Sequence, residues 1–341
     1  MASSTIEISI KGQWVRVPAL TVNDYPIVIT GKWIKMAAVH DEDWAEREVD
    51  HPEQCIEALK NPASRGWRAD IFTFTQKPLV VAARYSYPFE RESIAAIRLG
   101  SFKEWWESLP QESRKNVRRS QKRGVVVKVK EFDDDLIKGI VDVNNDSPMR
   151  QGRRYSHFGK SSDQVKRDHS AFVDRSDFIC AYLENEMIGF LKIVYRGEVA
   201  SILQLTPKLS HSDKRPANAM LAKAIERCEA RGISCVTYGL FNYGNKGATP
   251  IREFKERNGF GEILVPRYYV PLTAWGAVCV RTKLYRGLLG ILPPRAIAFA
   301  VGARAKLYEV KLRMSRCSST SERPNSDRQM ERSTPPAGSN L

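Results

Sequence analysis

The stretch that decides the fold is Phe178-Ile-Cys-Ala-Tyr-Leu183, Met187-Ile-Gly-Phe-Leu-Lys-Ile-Val-Tyr195 and Val199-Ala-Ser-Ile-Leu-Gln-Leu205, followed by the run from Pro216 to Arg231. The first three segments are rich in β-branched and aromatic residues. Glu-Asn-Glu and Arg-Gly-Glu separate them, connections short enough for antiparallel hairpins. The fourth opens with Pro at its first turn and stops at Gly232, the asymmetry expected of a helix. Its apolar positions Met220, Leu221, Ala224, Ile225 and Cys228 recur at helical spacing and predict a core face.

Working outward, Val125 to Val129 reads as a strand. Asp133 to about Asn145 reads as a helix with an acidic first turn, which suits the helix dipole. Ser161 and Gln164 form a capping-box pattern for a helix running to about Arg175. After the Pro216 helix come a strand at Ile233 to Tyr238, a short helix at Pro250 to Asn258 and a strand at Glu262 to Val270. The order is β-α-α-β-β-β-α-β-α-β. Upstream, residues 101–123 read as helix broken at Pro110, with Ser101 and Glu104 as a capping pattern. Residues 1–100 look mixed α/β, with strands at Ile6 to Ile10, Val15 to Val17, Ile27 to Thr30, Ile71 to Thr75 and Leu79 to Tyr85, and a helix at Pro52 to Lys60.

The 341 residues carry 42% hydrophobic and 27% charged side chains, enough for a sizeable core. The net charge is +15, which favours anionic partners: nucleic acid, an anionic membrane surface or a phosphate-rich cofactor. Six cysteines are scattered with no C-x-x-C pair, so no zinc site and no metal is expected, and the thiols read as reduced. Neither a signal peptide nor a membrane span is expected, which leaves a cytoplasmic protein. From 276 onward, twelve Lys+Arg stand against four Asp+Glu. Residues 274–315 mix apolar and basic positions at helical spacing, the pattern of an interfacial anchor. On that pattern the protein is peripheral to the inner face of a membrane. The Ser/Pro/Arg/Asn-rich stretch 316–341 reads as disordered. The expected organisation is therefore 1–100, 101–273, 274–315 and 316–341.

Three motifs carry a family resemblance. Trp105-Trp106 followed by Arg114-Lys115-Asn116-Val117-Arg118-Arg119 is the first, Glu186-Met187-Ile188-Gly189-Phe190 the second, and Phe254-Lys255-Glu256-Arg257-Asn258-Gly259-Phe260 the third. Together with the element order, they make residues 101–271 resemble the GNAT-like domain of the FemAB-like and polysaccharide-cluster acetyltransferases. The resemblance implies an α/β fold with a largely antiparallel sheet flanked by helices, and the first 100 residues as a degenerate second GNAT-like unit. It implies transfer from acetyl-CoA or another acyl-CoA to an amine or hydroxyl, with a small-molecule or lipid-linked sugar of surface-polysaccharide assembly as acceptor. The FemAB members use aminoacyl-tRNA instead, and a non-catalytic binding module is a third reading.

The family's phosphate loop, Arg/Gln-x-x-Gly-x-Gly/Ala at a helix N-terminus, corresponds here to Lys214-Arg215-Pro216-Ala217-Asn218-Ala219. The cations remain, but Ala replaces the first Gly and Pro removes a donor. Loop 148–160 corresponds to the segment that covers the acceptor, so Arg150, Arg153 and Tyr155 are acceptor-binding candidates. His157 is the candidate base. Tyr243, just past the strand that ends near Leu240, is the candidate acid for the leaving group. The six cations of helix 114–123 are a candidate phosphate-binding face.

Overall fold

The computed structural model describes residues 4–10, 13–44, 47–61, 68–150, 152–242 and 249–287. The first half supplies β1 (Ser4–Ile10), β2 (Gln13–Val22), β3 (Tyr25–Thr30), β4 (Met36–Val39), α1 (Pro52–Lys60), β5 (Ile71–Thr75) and β6 (Phe89–Arg98). Next come α2 (Phe102–Ser108), α3 (Gln111–Lys122), β7 (Val125–Lys130), α4 (Asp134–Asn144) and a small hairpin, β8 (Met149–Arg150) with β9 (Arg153–Arg154). They are followed by α5 (Ser162–His169), β10 (Ser176–Leu183), β11 (Glu186–Arg196), β12 (Val199–Pro207), α6 (Pro216–Ala230), β13 (Cys235–Leu240), α7 (Pro250–Arg257), β14 (Gly261–Pro271) and α8 (Ala274–Thr282).

Local chemistry sets most helix boundaries. The Ser161 and Gln164 side chains each bond the other's backbone N–H, closing the capping box of α5. Ser101 caps α2 and Asp133 caps α4, each through one backbone N–H. Pro110 separates α2 from α3. The strand order over 125–271 is the expected GNAT-like one, with the β8–β9 hairpin added in the α4–α5 loop.

Two expectations give way. Leu79–Tyr85 is not a strand. Gln76 donates to the Ala82 carbonyl and accepts from the Arg84 N–H, and Tyr268 takes that N–H too, so side chains hold this segment's backbone where a ladder would. The helix expected to reach Arg175 stops at His169, where buried Lys192 donates to the His169 and Ala171 carbonyls at 2.8 and 2.7 Å. Strands β4 and β6 are additions to the sequence reading. In the tail, α8 covers Ala274–Thr282, and the rest of the expected amphipathic segment beyond 287 and the disorder over 316–341 lie outside the described residues.

One twelve-stranded sheet runs β1-β2-β3-β4-β5-β14-β6-β13-β12-β11-β10-β7. Its pairings read the same from either edge. Three antiparallel steps lead to a parallel pair, β4 with β5 or β12 with β13, and an antiparallel step leads on to the central antiparallel pair β14–β6. Each half is thus a GNAT-like strand set. The innermost strand of each is supplied across the centre: β14, last in sequence, sits beside β5, and β6 sits beside β13. Helix α1 joins the parallel strands of the first half as α6 joins those of the second. Where the second half inserts α4 and α5, β1 passes to β2 within two residues.

Alternation along β10 assigns the two faces. Ile179 and Ala181 join the cluster beneath α2, α3 and α6, whereas Phe178 and Cys180 join the one beneath α4 and α5. The predicted α6 stripe is fully buried. The first half has its own cluster, in which Cys55, Ala58 and Leu59 of α1 meet Phe72, Phe74 and Tyr268.

A buried carboxylate stitches α6 to the sheet. Asp177 accepts from Tyr195 Oη at 2.8 Å, Arg227 Nε at 2.9 Å and Arg231 at 3.1 Å. Burial pushes its pKa up, but these donors outweigh it and hold the carboxyl below its ordinary value. A depressed carboxylate stabilises above its unfolded pKa, and that contribution is lost as pH falls through the folded one. Asp177→Asn should cost about 2 kcal/mol at neutral pH, with the difference from the native protein closing in acid. Urea unfolding at both pH values checks this; equal midpoints at neutral pH would refute it.

Candidate functional site

The parallel strands β12 and β13 pair only through Val199↔Cys235, Ala200↔Val236 and Ser201↔Thr237. Beyond Ser201 and Thr237, whose hydroxyls meet at 2.5 Å, the strands part. Both carry a bulge there. Against β11, Lys192 pairs with Gln204 but Ile193 with Ile202, which leaves Leu203 as the extra residue. Against β6, Thr237 pairs with Ala96 and Leu240 with Ile94, which leaves one extra residue over Tyr238–Gly239. Gly239 takes φ +54°, a left-handed conformation that glycine adopts without the steric cost other residues meet. Bulges bend a strand and raise its twist, so two of them at the end of a short parallel pairing force the sheet open.

A cavity of about 360 Å³ occupies this opening. Ser201, Leu203, Thr237 and Gly239 form one wall; Glu42, Glu92, Arg196 and Arg267 bring charge from elsewhere. Arg267 of β14 donates to Glu42 at 3.2 Å and through Nε to Glu92 at 3.0 Å. Burial works against its charge, but the two carboxylates win and raise its pKa. Glu42 also accepts the Thr75 N–H. Burial dominates at Glu42 and lifts its pKa to about 7 despite Arg267. Arg196 donates to the carbonyls of Glu42 and Asp43, which fixes the turn that carries Glu42.

A second polar cluster follows along β12. Tyr155 donates to Asn144 at 2.9 Å and accepts from Gln204 at 3.2 Å. Arg150 lies over the Tyr155 ring at 4.6 Å and donates to the carbonyls of Pro207 (2.7 Å) and Val143 (3.3 Å). Its guanidinium therefore fastens α4 to the end of β12. His157 packs against Tyr155 with ring centroids 5.3 Å apart; burial, then Lys160, lowers its pKa. Arg153 is exposed on the small hairpin. The structure thus joins Arg150, Tyr155 and His157 and leaves Arg153 at the surface.

At the start of α6, Arg215 takes φ +57° and Pro216 fills the first turn with no side-chain cap. Lys214 pairs with Asp213 at 3.2 Å, and Asp213 also holds Arg123 at the C-cap of α3. Asn218 donates to Asn258 at 2.9 Å, Ala217 is half-buried, and Ala219 is buried. Tyr243 lies outside the described residues.

None of the residues singled out from sequence lines the cavity, and its charged residues escaped that reading. Glu42 and Arg267 are 225 positions apart, and only the strand exchange at the sheet centre brings them together. One signal was present: Arg267 interrupts an apolar strand run, and a charge there is rarely removed from water without a partner.

No family model matches the sequence, and no curated protein matches it. Solved structures do. The chain is similar to the C-terminal domain of a protein described as a lysylphosphatidylglycerol synthetase from Agrobacterium fabrum, at 15% identity and TM-score 0.52 over 79% of this chain and 89% of that one. L-PGS from Bacillus licheniformis follows at 14% identity and TM-score 0.48, over 79% and 88%. FemX matches at 11% identity and TM-score 0.48, over 84% and 90%. At these identities the likeness is one of fold.

The Glu42 carboxyl has a folded pKa above its ordinary 4.5. The folded protein therefore holds this proton more tightly than the unfolded chain. Glu42's contribution to stability is fully present below about pH 4.5 and is lost as pH rises to about 7. Glu42→Gln should flatten the fall in melting temperature over that window. A variant with the same slope as the native protein would contradict the assignment.

Proposed function

We propose that the protein is an acyl- or aminoacyltransferase whose acceptor is activated in the cavity between β12 and β13. The observation that carries this reading is a half-buried carboxylate with pKa about 7 beside a bulged, parted strand pair. A general base works best when its pKa lies near the working pH. In the proposed step Glu42 takes a proton from an amine or hydroxyl acceptor. The freed lone pair forms the new bond to the acyl carbonyl carbon. The bond from that carbon to the donor's sulfur or oxygen breaks, and the leaving atom takes up the proton that Glu42 received, which regenerates the carboxylate. Leu203, set outside the ladder by its bulge, is the proposed N–H donor to the carbonyl oxygen. Arg150 is committed to backbone carbonyls and so is not free for acceptor contact. A sugar acceptor in surface-polysaccharide assembly follows from the family resemblance alone.

The donor's phosphates have two places to bind. At α6, Lys214, Arg215 and the uncapped helix end suit a phosphate, as acyl-CoA would require. A wrapped pyrophosphate fits less well. The N–H groups of Ser212, Lys214 and Arg215 are spent on the loop's own carbonyls, and Asp213 adds negative charge. Helix α3 favours aminoacyl-tRNA. Arg114, Lys115, Arg118, Arg119 and Lys122 stand on it, and Arg123 at its C-cap reaches the α6 turn through Asp213. A synthetase of lysylphosphatidylglycerol with the same fold is consistent with an aminoacyl donor.

Charged tRNA and acetyl-CoA, titrated separately, decide between donors. In the tRNA reading, Arg118→Glu with Lys122→Glu weakens binding and lowers the salt slope by about 2. In the CoA reading, Lys214→Ala with Arg215→Ala abolishes binding. With either donor, Glu42→Gln should lower the transfer rate by about 10²-fold or more at unchanged donor affinity. Binding of neither donor, or full activity in Glu42→Gln, refutes the proposal.

A further inference from the structure

The loop between β3 and β4 exposes an indole. Trp33 is 90% accessible, far beyond what a large aromatic side chain shows in a folded domain unless something covers it. It does not stand alone. Trp275 of α8 is 46% exposed and donates its indole N–H to the Trp33 carbonyl at 3.1 Å. Val278, one turn further on the same helix strip, is 49% exposed. The helix's other face is fixed: Cys279 is fully buried, and Gly276 lies so close to the Asp70 carbonyl that a Cβ there would meet it at 1.9 Å.

Asp70 joins these pieces into one surface. It accepts the Lys35 N–H at 2.8 Å and the Thr273 hydroxyl at 2.9 Å, and its own N–H donates to the Lys35 carbonyl at 2.7 Å. Thr273 in turn caps α8 through the Gly276 N–H. The loop, residue 70 and the first turn of α8 are thereby rigidly connected. Lys32 and Lys35 flank Trp33 in sequence, Arg68 lies two residues before Asp70 and Arg281 stands on α8; all are exposed and none is in an ion pair among the described residues. The one carboxylate within this network, Asp70, is spent on the loop and the cap.

Exposed tryptophan accompanied by unpaired cations fits one environment well. The indole's apolar body and polar N–H suit the headgroup boundary of a bilayer, and the cations suit an anionic headgroup layer. We propose that Trp33, Trp275 and Val278, with Lys32, Lys35, Arg68 and Arg281, form a docking surface for an anionic lipid bilayer. No helix among the described residues is long and apolar enough to cross a membrane, so the contact is with the surface. The chain beyond this patch continues in the same chemistry, with a surplus of Lys and Arg over acidic residues and apolar runs between them. The proposal is independent of the transfer chemistry.

The full chain, sedimented with phosphatidylcholine vesicles with and without phosphatidylglycerol, tests it. Binding should require the anionic lipid and weaken with salt. Trp33→Ala with Trp275→Ala should lower partitioning about tenfold. Lys32→Glu with Lys35→Glu should lower it comparably and reduce the salt dependence, with melting temperature unchanged in that second variant. Native-level binding by both variants would put membrane contact elsewhere in the chain and overturn the proposal. So would an absence of vesicle binding, whether or not the protein self-associates through the patch.

Discussion

Arg267 is the point on which the two halves of the molecule depend. It lies on the last strand of the sheet to be made, yet its guanidinium is held by Glu42 of the first half and by Glu92 of the strand beside it. An arginine half removed from water keeps its charge at low cost only if carboxylates replace the lost water. One of those carboxylates gives up part of its own acidity in return, because burial at Glu42 outweighs the arginine's help. The same triad therefore closes the sheet centre and leaves a proton-binding group near neutrality beside an open cavity. Structural closure and candidate chemistry come from one set of contacts.

The symmetric pairing order explains why that contact can exist. Each half completes its parallel pair with a strand from across the centre, so neither half presents a finished sheet alone. The halves then differ where the chemistry lies. The first retains the strand order with α1 and few other helices. The second adds α4 and α5, and its parallel pair carries two opposed bulges. The fold keeps those bulges in place. Lys255 of α7, fully buried, donates to the Leu240 carbonyl at 2.7 Å, just beyond the bend in β13. Arg150 holds the end of β12 in the same way, through the Pro207 carbonyl.

Much of the second half could be read from sequence because its signals are local. Caps, stop glycines and an apolar stripe on α6 each act within one turn, and Pro52–Lys60 and Ile71–Thr75 matched for the same reason. Strand β4, Met-Ala-Ala-Val, is too short and too alanine-rich to declare itself. Strand β6 opens with Phe-Glu-Arg-Glu, and those charges find partners such as Arg286 and Arg267 only in three dimensions. Val80 and Val81 have strong strand preference, but Gln76 and Tyr268 claim the backbone after them. The site was less legible than the fold. Its walls come from seven separated segments, and no motif spacing reports a pairing made by strand exchange. Arg150 illustrates the converse: it lies in a loop full of candidate ligands, and its guanidinium turns out to serve two backbone carbonyls.

The central claim is that transfer takes place where β12 and β13 part. Hydrogen exchange tests it most directly, measured on the full chain alone and with charged tRNA or acetyl-CoA added in turn. The account predicts that the binding donor slows exchange at the amides of 201–204 on β12 and 237–240 on β13. Protection confined to segments away from this opening, with those amides unchanged, would contradict it.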